Sequence, residues 1–430
     1  MLNWTYGDAL ALVGADPIGF LPTLLLITAV LLAVESFFRM RAGRLHPTES
    51  SSERQLSIDG LRGFLALAVF VHHYGHAYTH QLFGQWRSVD VSAFELAGKF
   101  GVAMFFMITG FLFWGRVLAN RGRLDWVAFA ISRLFRIVPL YLVAVALLVA
   151  ALLCKSGWVL NEPPLKVLGE VGAWLLFRTP DINGVRDSWV AIAGVTWTLQ
   201  YEWLFYLALP GFALLLRLGR TGSWLLAGTV FAIVALAVRP VSVLGFSTSY
   251  FIFFLIGAGA ALMNRSRWLR RVAASRWASH VVLGSLLLLF ARYGTVHGLP
   301  QILLLASAFV PIALGNTLYG LLRQRSALLL GDLSYGIYLL HGLVLYFMFT
   351  LGLPGYLAAH ASPGAFWAGM AASLLLVLIT SYCGLRLVEE PCIKLGRQVT
   401  RALRGDAAQN PRAGATVPLL RGGLVKRQPM

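Results

Sequence analysis

Two ionisable side chains, Arg62 and His73, lie in an otherwise apolar stretch of the chain. Ten residues separate them, and eight of these (64–71) are apolar. Eleven positions at 100° each amount to almost a whole number of helical turns, so an α-helix places both side chains on one face, roughly 16 Å apart along its axis. Because such groups are costly within an apolar segment, the pair indicates a functional site.

The chemistry of this pair follows from its two side chains. The guanidinium of Arg62 suits phosphate oxygens, and the imidazole of His73 suits proton transfer. If both face one shared cavity, an anionic cofactor with a thin arm, the shape of coenzyme A, would reach from one to the other. The alternative is that Arg62 extends to the membrane surface as a topology signal and His73 is a hydrogen-bonded core residue.

A metal site is a second interpretation of the same segment. The spacings of His73, His76 and His80, or of His72, His76 and His80, would present imidazoles on one face. No Cys or carboxylate lies nearby in the sequence, and two of the histidines approach the end of the apolar stretch. We therefore expect no metal.

Further ionisable residues begin or interrupt other apolar stretches. Arg133 and Arg136, at i and i+3, share a helix face and form a two-pronged anion site, for either a cofactor phosphate or a lipid headgroup. Glu202 lies early in the stretch that follows Trp197. It is expected to position a substrate hydroxyl or to pair with an arginine.

Two more segments complete the set. His341 is another imidazole within an apolar stretch, and Glu389 and Glu390 end the last one at the level expected for Arg62. The carboxylates are expected to form a salt bridge or to orient a catalytic histidine or arginine. The Thr109-Gly110 pair indicates close helix packing.

The elements that must position these residues are membrane helices. The chain has 430 residues, 58% of them hydrophobic and 13% charged, with a mean hydropathy of +0.72. Soluble proteins carry about 25% charged residues, so a soluble, disordered or collagen-like protein is excluded. Three cysteines form neither a disulfide framework nor a metal-binding pair. The predicted fold class is all-α, a polytopic transmembrane helix bundle.

Stretches of about 20 apolar residues predict eleven spans. They are Ile18–Phe38, Ile58–Tyr78, Leu96–Gly115, Ile137–Cys154, Gln200–Leu216, Ser223–Val238, Ser249–Met263, His280–Arg292, Pro300–Leu321, Leu333–Leu351 and Ala365–Leu387. With the N-terminus outside and the C-terminus in the cytoplasm, 28 of the 36 Lys and Arg residues fall on the inner side, as the positive-inside rule requires.

Three regions follow from this topology. Residues 1–54 hold one N-terminal helix and a linker, 55–400 form the membrane domain, and 401–430 are a basic tail expected to be disordered. The longest outer loop, Lys155–Trp197, is polar and contains two turn-like stretches, 161–164 and 181–184.

Taken in order, these segments resemble the acyltransferase-3 family of bacterial membrane O-acyltransferases over roughly residues 55–400. The resemblance consists of Arg62 and His73 with ten residues between them, the R-x-x-R element at 133–136, the stretch 105–111, where Thr109 replaces the Ser of FFxxSGF, the stretch 197–202 (WSLxxE), the stretch 334–341 (SYxxYLLH) and the E-x-P element at 389–391. Because the family has about ten membrane helices, the helix Ile18–Phe38 is an addition.

The resemblance implies transfer of an acyl group, often acetyl, from cytoplasmic acyl-CoA to a carbohydrate hydroxyl. It implies the following roles: His73 as general base or transient acyl carrier, Arg62, Arg133 and Arg136 as ligands of the cofactor phosphates, Glu389 as the residue that holds Arg62 or a histidine in place, and Thr109, Trp197, Glu202 and His341 as substrate-binding residues. Expected partners are acyl-CoA, a carbohydrate acceptor, the lipid of a bacterial cytoplasmic membrane and glycan-assembly proteins, with no nucleic acid.

Two other classes of protein would also place charges within spans. A transporter or flippase for a lipid-linked sugar lines its path with buried charges, although we find no half-to-half symmetry of the kind that many transporters have. A structural assembly subunit would tolerate substitution of Arg62 and His73.

Overall fold

The structure is a computed structural model that describes residues 55–87, 92–238, 241–243, 246–352 and 362–405. The prediction of an all-α bundle is confirmed. Its helices are α1 (Leu56–Phe83), α2 (Ser92–Ala119), α3 (Trp126–Lys155), α4 (Pro164–Leu175), α5 (Thr196–Arg217), α6 (Gly219–Val238), α7 (Phe251–Met263), α8 (Arg267–Ala273), α9 (Arg276–Arg292), α10 (Leu299–Ala313), α11 (Arg325–Tyr346), α12 (Pro363–Gly384) and α13 (Glu390–Leu403). The strands β1 (Ser242–Val243) and β2 (Phe246–Ser247) form one antiparallel hairpin.

Each predicted span after residue 54 overlaps a helix of the described chain, but the predicted span Pro300–Leu321 is too long, since α10 ends at Ala313. Six helical stretches are long and apolar enough to cross a membrane, and a seventh results if the bent pair α8–α9 is one span. The helix α1 has the length of a span but is not among them, since it carries Asp59, Arg62 and four histidines. The predicted helix Ile18–Phe38 lies outside the described residues, as does the tail beyond residue 405.

The centre of the bundle is α1, which packs against α11 on one side and α2 on the other, and α2 in turn packs against α7. These contacts depend on small residues. A Cβ at Gly331 of α11 would overlap the backbone carbonyl of Asp59, and one at Gly110 of α2 would overlap that of Phe254. The close approach expected at Thr109-Gly110 is therefore present, against α7.

The long loop between α3 and α5 is more structured than its polar sequence predicts. It contains α4 and a 3₁₀ turn, Ser188–Ile192. The fully buried Asn183 joins its parts: the side-chain Nδ2 donates to the Val159 carbonyl at 2.9 Å, and the backbone N–H donates to Glu170 at 2.9 Å. The stretch 181–184 is a tight turn, as predicted, with Asn183 and Gly184 both at positive φ.

The opposite end of the bundle is closed by α12 and α13. A wide π-helical turn, Leu385–Glu389, connects them. Pro391 follows at the start of α13 and has no N–H to donate to the carbonyl of Leu387, which favours the wider turn. The turn buries Glu389 to 1% exposure. The helix α13 then packs on α3 and ends at Leu403, inside the region predicted as tail.

Candidate active site

A cavity of about 170 Å³ lies between α1, α2, α3, α5 and α11. Its lining includes five of the residues singled out from the sequence. They are Arg62, Thr109, Arg133, Arg136 and Glu202. Four helices distant in the sequence thus bring their polar residues to one enclosed space, whose other walls are mainly aromatic and aliphatic.

The three arginines form the polar end of this cavity. Arg62 keeps 26% and Arg136 22% of its side chain exposed, so this end is accessible to a ligand. The Nε of Arg133 is buried and has no hydrogen-bond partner among the described residues, while its guanidinium lies over the ring of Phe113, 5.0 Å from the centroid. A cluster with an unused buried donor is suited to bind an anion.

Glu389 neutralises one of these arginines. Its Oε2 lies 2.8 Å from Nη1 of Arg136, and the carboxylate is fully buried. The expected partner was Arg62 or a histidine. In the structure Arg62 instead lies 3.9 Å from Asp59, one turn away on α1. The second arginine of the R-x-x-R element and the carboxylate of the E-x-P element therefore meet directly, because α13 packs on α3.

The remaining carboxylate of the cavity is Glu202. It accepts a hydrogen bond from the hydroxyl of Tyr206, one turn further along α5. Trp197, from the same predicted motif, does not line the cavity. It packs in an aromatic cluster, 4.9 Å from the ring of Tyr250 and 5.6 Å from that of Tyr201.

His73 does not line this cavity, in contrast to the single shared cavity expected from the helical stripe. Tyr338 of α11 fills the space between. Its hydroxyl lies 2.6 Å from the Thr198 hydroxyl, and its ring is 6.0 Å from that of Phe105 on one side and 6.3 Å from that of His341 on the other. Helical spacing correctly places Arg62 and His73 on one face, but it carries no information on a side chain from another helix that separates them.

On the far side of Tyr338, His73 and His341 form a hydrogen-bonded pair. Nδ1 of the buried His341 lies 2.9 Å from the Ile337 carbonyl and must carry a proton, so its Nε2 is an acceptor. Nδ1 of His73 lies 3.0 Å from that Nε2 and 3.1 Å from the Val69 carbonyl, and therefore donates to both. This network leaves Nε2 of His73, on a partly exposed ring, with a lone pair that no residue of the described chain occupies and that is suited to proton transfer.

A tryptophan that the sequence did not single out, Trp86, lies beside this pair, and a second, Trp189, packs on it. The ring of Trp86, after α1, is 6.3 Å from that of His73 and 5.7 Å from that of Trp189, which belongs to the 3₁₀ turn. Neither position belongs to a recognisable motif, so no signal in the sequence could have identified them. Aromatic rings in such a position can pack against the apolar faces of a ligand.

Comparisons with known proteins identify the family of the chain. The model of the acyltransferase-3 family, described as an acyltransferase domain, matches residues 55–382. Among similar proteins, the acyltransferase MdmB of Streptomyces mycarofaciens is 30% identical over 82% of this chain and 95% of its own length. The exopolysaccharide production protein ExoZ of Rhizobium meliloti is 30% identical over 73% of this chain and 95% of its own.

A third relative, nodulation protein 10 of Rhizobium leguminosarum, is 27% identical over 81% of this chain and 95% of its own. No solved structure matches the chain significantly. The family match extends over most of the chain and includes the arginine cavity and the histidine pair. The protein is therefore a member of the acyltransferase-3 family, an acyltransferase built as a membrane helix bundle.

Proposed function

We propose that this protein transfers an acyl group, in the first place acetyl, from cytoplasmic acyl-CoA to a hydroxyl of a cell-surface glycan, glycolipid or related glycoside. The observation that carries the proposal is the order of three features along α1 and α11: an arginine-lined cavity, the Tyr338 side chain, and a histidine pair with one free nitrogen. In the proposed reaction, the arginine cavity would bind the phosphates of the donor, the place of Tyr338 would be the passage for its thin arm, and the histidine pair would supply the base.

The donor would bind by its phosphates to the arginine end. Arg62, Arg133 and Arg136 supply forked donors, and Glu389 holds Arg136 in place through a buried contact of 2.8 Å. The apolar walls of the cavity suit the pantetheine arm. The thioester would then approach His73 by displacing the ring of Tyr338, which lies 6.3 Å from that of His341.

The reaction would use Nε2 of His73 as general base. The acceptor hydroxyl gives its proton to Nε2, and its oxygen attacks the thioester carbonyl. The C–S bond then breaks, and the proton passes to the sulfur, so that an ester and the free thiol of CoA are the products. Proton transfer of this kind contributes roughly 10²–10⁴ in rate. His341 would orient the base, and Trp86 and Trp189 would hold the sugar ring of the acceptor.

The acceptor class is supported by the relatives, since one of them is named an exopolysaccharide production protein. The protein would lie in the cytoplasmic membrane of a bacterium, with the arginine end and the C-terminus on the cytoplasmic side, where acyl-CoA is made. The carbohydrate would then enter from the opposite side, past the two tryptophans.

The test uses purified full-length protein in nanodiscs with acetyl-CoA and a panel of glycosides. We expect CoA release together with a gain of about 42 Da in the mass of the acceptor, which corresponds to one acetyl group. His73→Ala should abolish both, whereas His80→Ala, on the same helix, should not. Binding of acetyl-CoA should be weaker in Arg133→Ala with Arg136→Ala. Full turnover by His73→Ala would refute the proposed function of His73 as general base. A transporter for a lipid-linked sugar would instead show movement of the sugar without release of CoA.

A further inference from the structure

A second group of titratable residues lies beside the histidine pair and has no part in the proposed reaction. His72 and His76 are one turn apart on α1, and Glu95 faces them from α2. The Oε2 of Glu95 is 3.6 Å from Nε2 of His76 and 3.8 Å from Nδ1 of His72. The ligand atoms of all three residues lie within 4.8 Å of one another. Side-chain exposures of 14%, 12% and 30% leave the group partly enclosed.

The Glu95 carboxylate is only half satisfied. Its Oε1 lies 2.9 Å from the Lys99 ammonium. Its Oε2 is buried and has no hydrogen-bond partner within the described part of the chain. The two imidazole nitrogens at 3.6 and 3.8 Å are too distant to donate to it. Because a buried carboxylate oxygen without a donor is costly, this atom indicates a missing positive partner.

The spacing of the three groups suits a small transition-metal ion. Ligand atoms bound at about 2.1 Å in a tetrahedron are roughly 3.4 Å apart. The two separations from the Glu95 carboxylate, 3.6 and 3.8 Å, need to contract by only a few tenths of an ångström, and the two imidazole nitrogens lie within 4.8 Å of each other. His76 is already oriented for coordination. Its Nδ1 donates to the His72 carbonyl at 3.0 Å, which leaves the lone pair on Nε2 towards Glu95.

His72 needs one exchange to join. Its Nδ1 donates to the Phe94 carbonyl at 3.0 Å. On coordination that proton would move to Nε2, and the ring would turn its Nδ1 lone pair from the carbonyl towards Glu95. Two imidazoles and one carboxylate leave a fourth tetrahedral position for water or a substrate oxygen. From the sequence this possibility was set aside for want of a carboxylate, and the fold provides one from α2.

We propose that His72, His76 and Glu95 form a binding site for a divalent transition metal of the zinc type. An imidazole and carboxylate set favours such an ion over Mg²⁺ or Ca²⁺, which require oxygen ligands. The ion would link α1 to α2, and the ring of His72 lies 4.7 Å from that of His73. The site is independent of the proposed acyl transfer.

The experiment uses full-length protein purified without a polyhistidine tag, freed of metal with a chelator and held in nanodiscs. Titration with Zn²⁺ and with Co²⁺ should show one ion per chain, and bound Co²⁺ should give the visible absorption of four-coordinate cobalt. His76→Ala and Glu95→Gln should each lower affinity by at least 10–100-fold, on the order of the effect of losing a ligand's support. His80→Ala, one turn beyond His76, is the control and should bind normally.

Folding is checked separately. Each variant's unfolding temperature is measured without metal, and Zn²⁺ should raise it only for the wild type and for His80→Ala. The proposal is overturned if metal-free wild type takes up no Zn²⁺ or Co²⁺, or if Glu95→Gln binds both as tightly as the wild type. Neither result depends on acyl transfer, so the two proposals can fail independently.

Discussion

The orientation of His73 by His341 makes the most direct prediction about the active site. Replacing His341 with Leu keeps an apolar side chain of comparable size but removes the acceptor 3.0 Å from Nδ1 of His73. Replacing it with Gln keeps an acceptor of similar reach. We expect His341→Leu to lower kcat and His341→Gln to restore much of the loss, with little change in binding of acetyl-CoA.

The size of the effect follows from the hydrogen bonds of His73. Its Nδ1–H also donates to the Val69 carbonyl at 3.1 Å, so it keeps one acceptor in the variant. The loss is then that of one neutral hydrogen bond and of ring orientation, about 1–2 kcal/mol. This corresponds to roughly a 5- to 30-fold fall in kcat.

The assay is CoA release at saturating acetyl-CoA, with the unfolding temperature of each variant as the control for folding. A structural effect alone would lower the unfolding temperature of both variants and would not make the kcat of His341→Leu differ from that of His341→Gln. The reasoning is refuted if His341→Leu keeps the wild-type kcat, or if His341→Gln is impaired as severely as His341→Leu although both are folded.

Three further perturbations concern the bundle itself. Glu389→Gln should lower stability by about 2–4 kcal/mol in detergent, because it leaves the charge of Arg136 in a largely buried place. Gly110→Ala should cost about 1–3 kcal/mol or prevent folding, since its Cβ would overlap a carbonyl of α7. The Ala128 N–H and the Arg404 guanidinium hold the pKa of Asp125 below its ordinary value. Hydrogen-exchange protection over α13 should therefore fall in Asp125→Asn, and in the wild type as the pH falls below the ordinary aspartate pKa of about 3.9.

Each of these has a matched control. Gly115→Ala, whose Cβ would meet nothing nearer than 3.8 Å, should be neutral. Adding Arg136→Gln to Glu389→Gln removes the uncompensated charge and should restore part of the unfolding temperature. In Asp125→Asn, protection over α13 relative to the intrinsic exchange rate at each pH should respond less to the same fall in pH, because Asn has no carboxyl group to protonate. Failure of any control would point to a general effect on folding.

Residues whose placement depends on one helix could be predicted from the sequence. Arg62 and His73 share a face of α1, and Arg133 and Arg136 share a face of α3, because helical periodicity determines both. Their meeting in one cavity rested on the expected membrane level of each segment, and the structure brings the three arginines together. Positions on a helix face, and which segments bring their charges to one end of the bundle, are thus accessible to sequence reasoning.

Contacts between helices were not accessible in this way. Nothing near Glu95 in the sequence relates it to His76, and nothing near Glu389 selects Arg136 over Arg62. These pairings depend on which helix packs on which, and therefore on features such as Gly331, where a side chain would prevent the close approach of α1 and α11. Such packing follows from the shape of the whole bundle and is not encoded in any short motif.

The helix α11 links the two halves of the site. Tyr338 closes the arginine cavity, and His341, one turn later on the same helix, is hydrogen-bonded on the other side to His73, the proposed base. If the arm of the donor moved the ring of Tyr338, the 2.6 Å contact between Tyr338 and Thr198 would be lost. The displaced ring would also press on His341, whose ring lies 6.3 Å away and which orients His73 in the proposed site. Entry of the donor and orientation of the proposed base would then be coupled through one turn of α11. Without a donor, Tyr338 would keep the arginine cavity separate from the histidine pair.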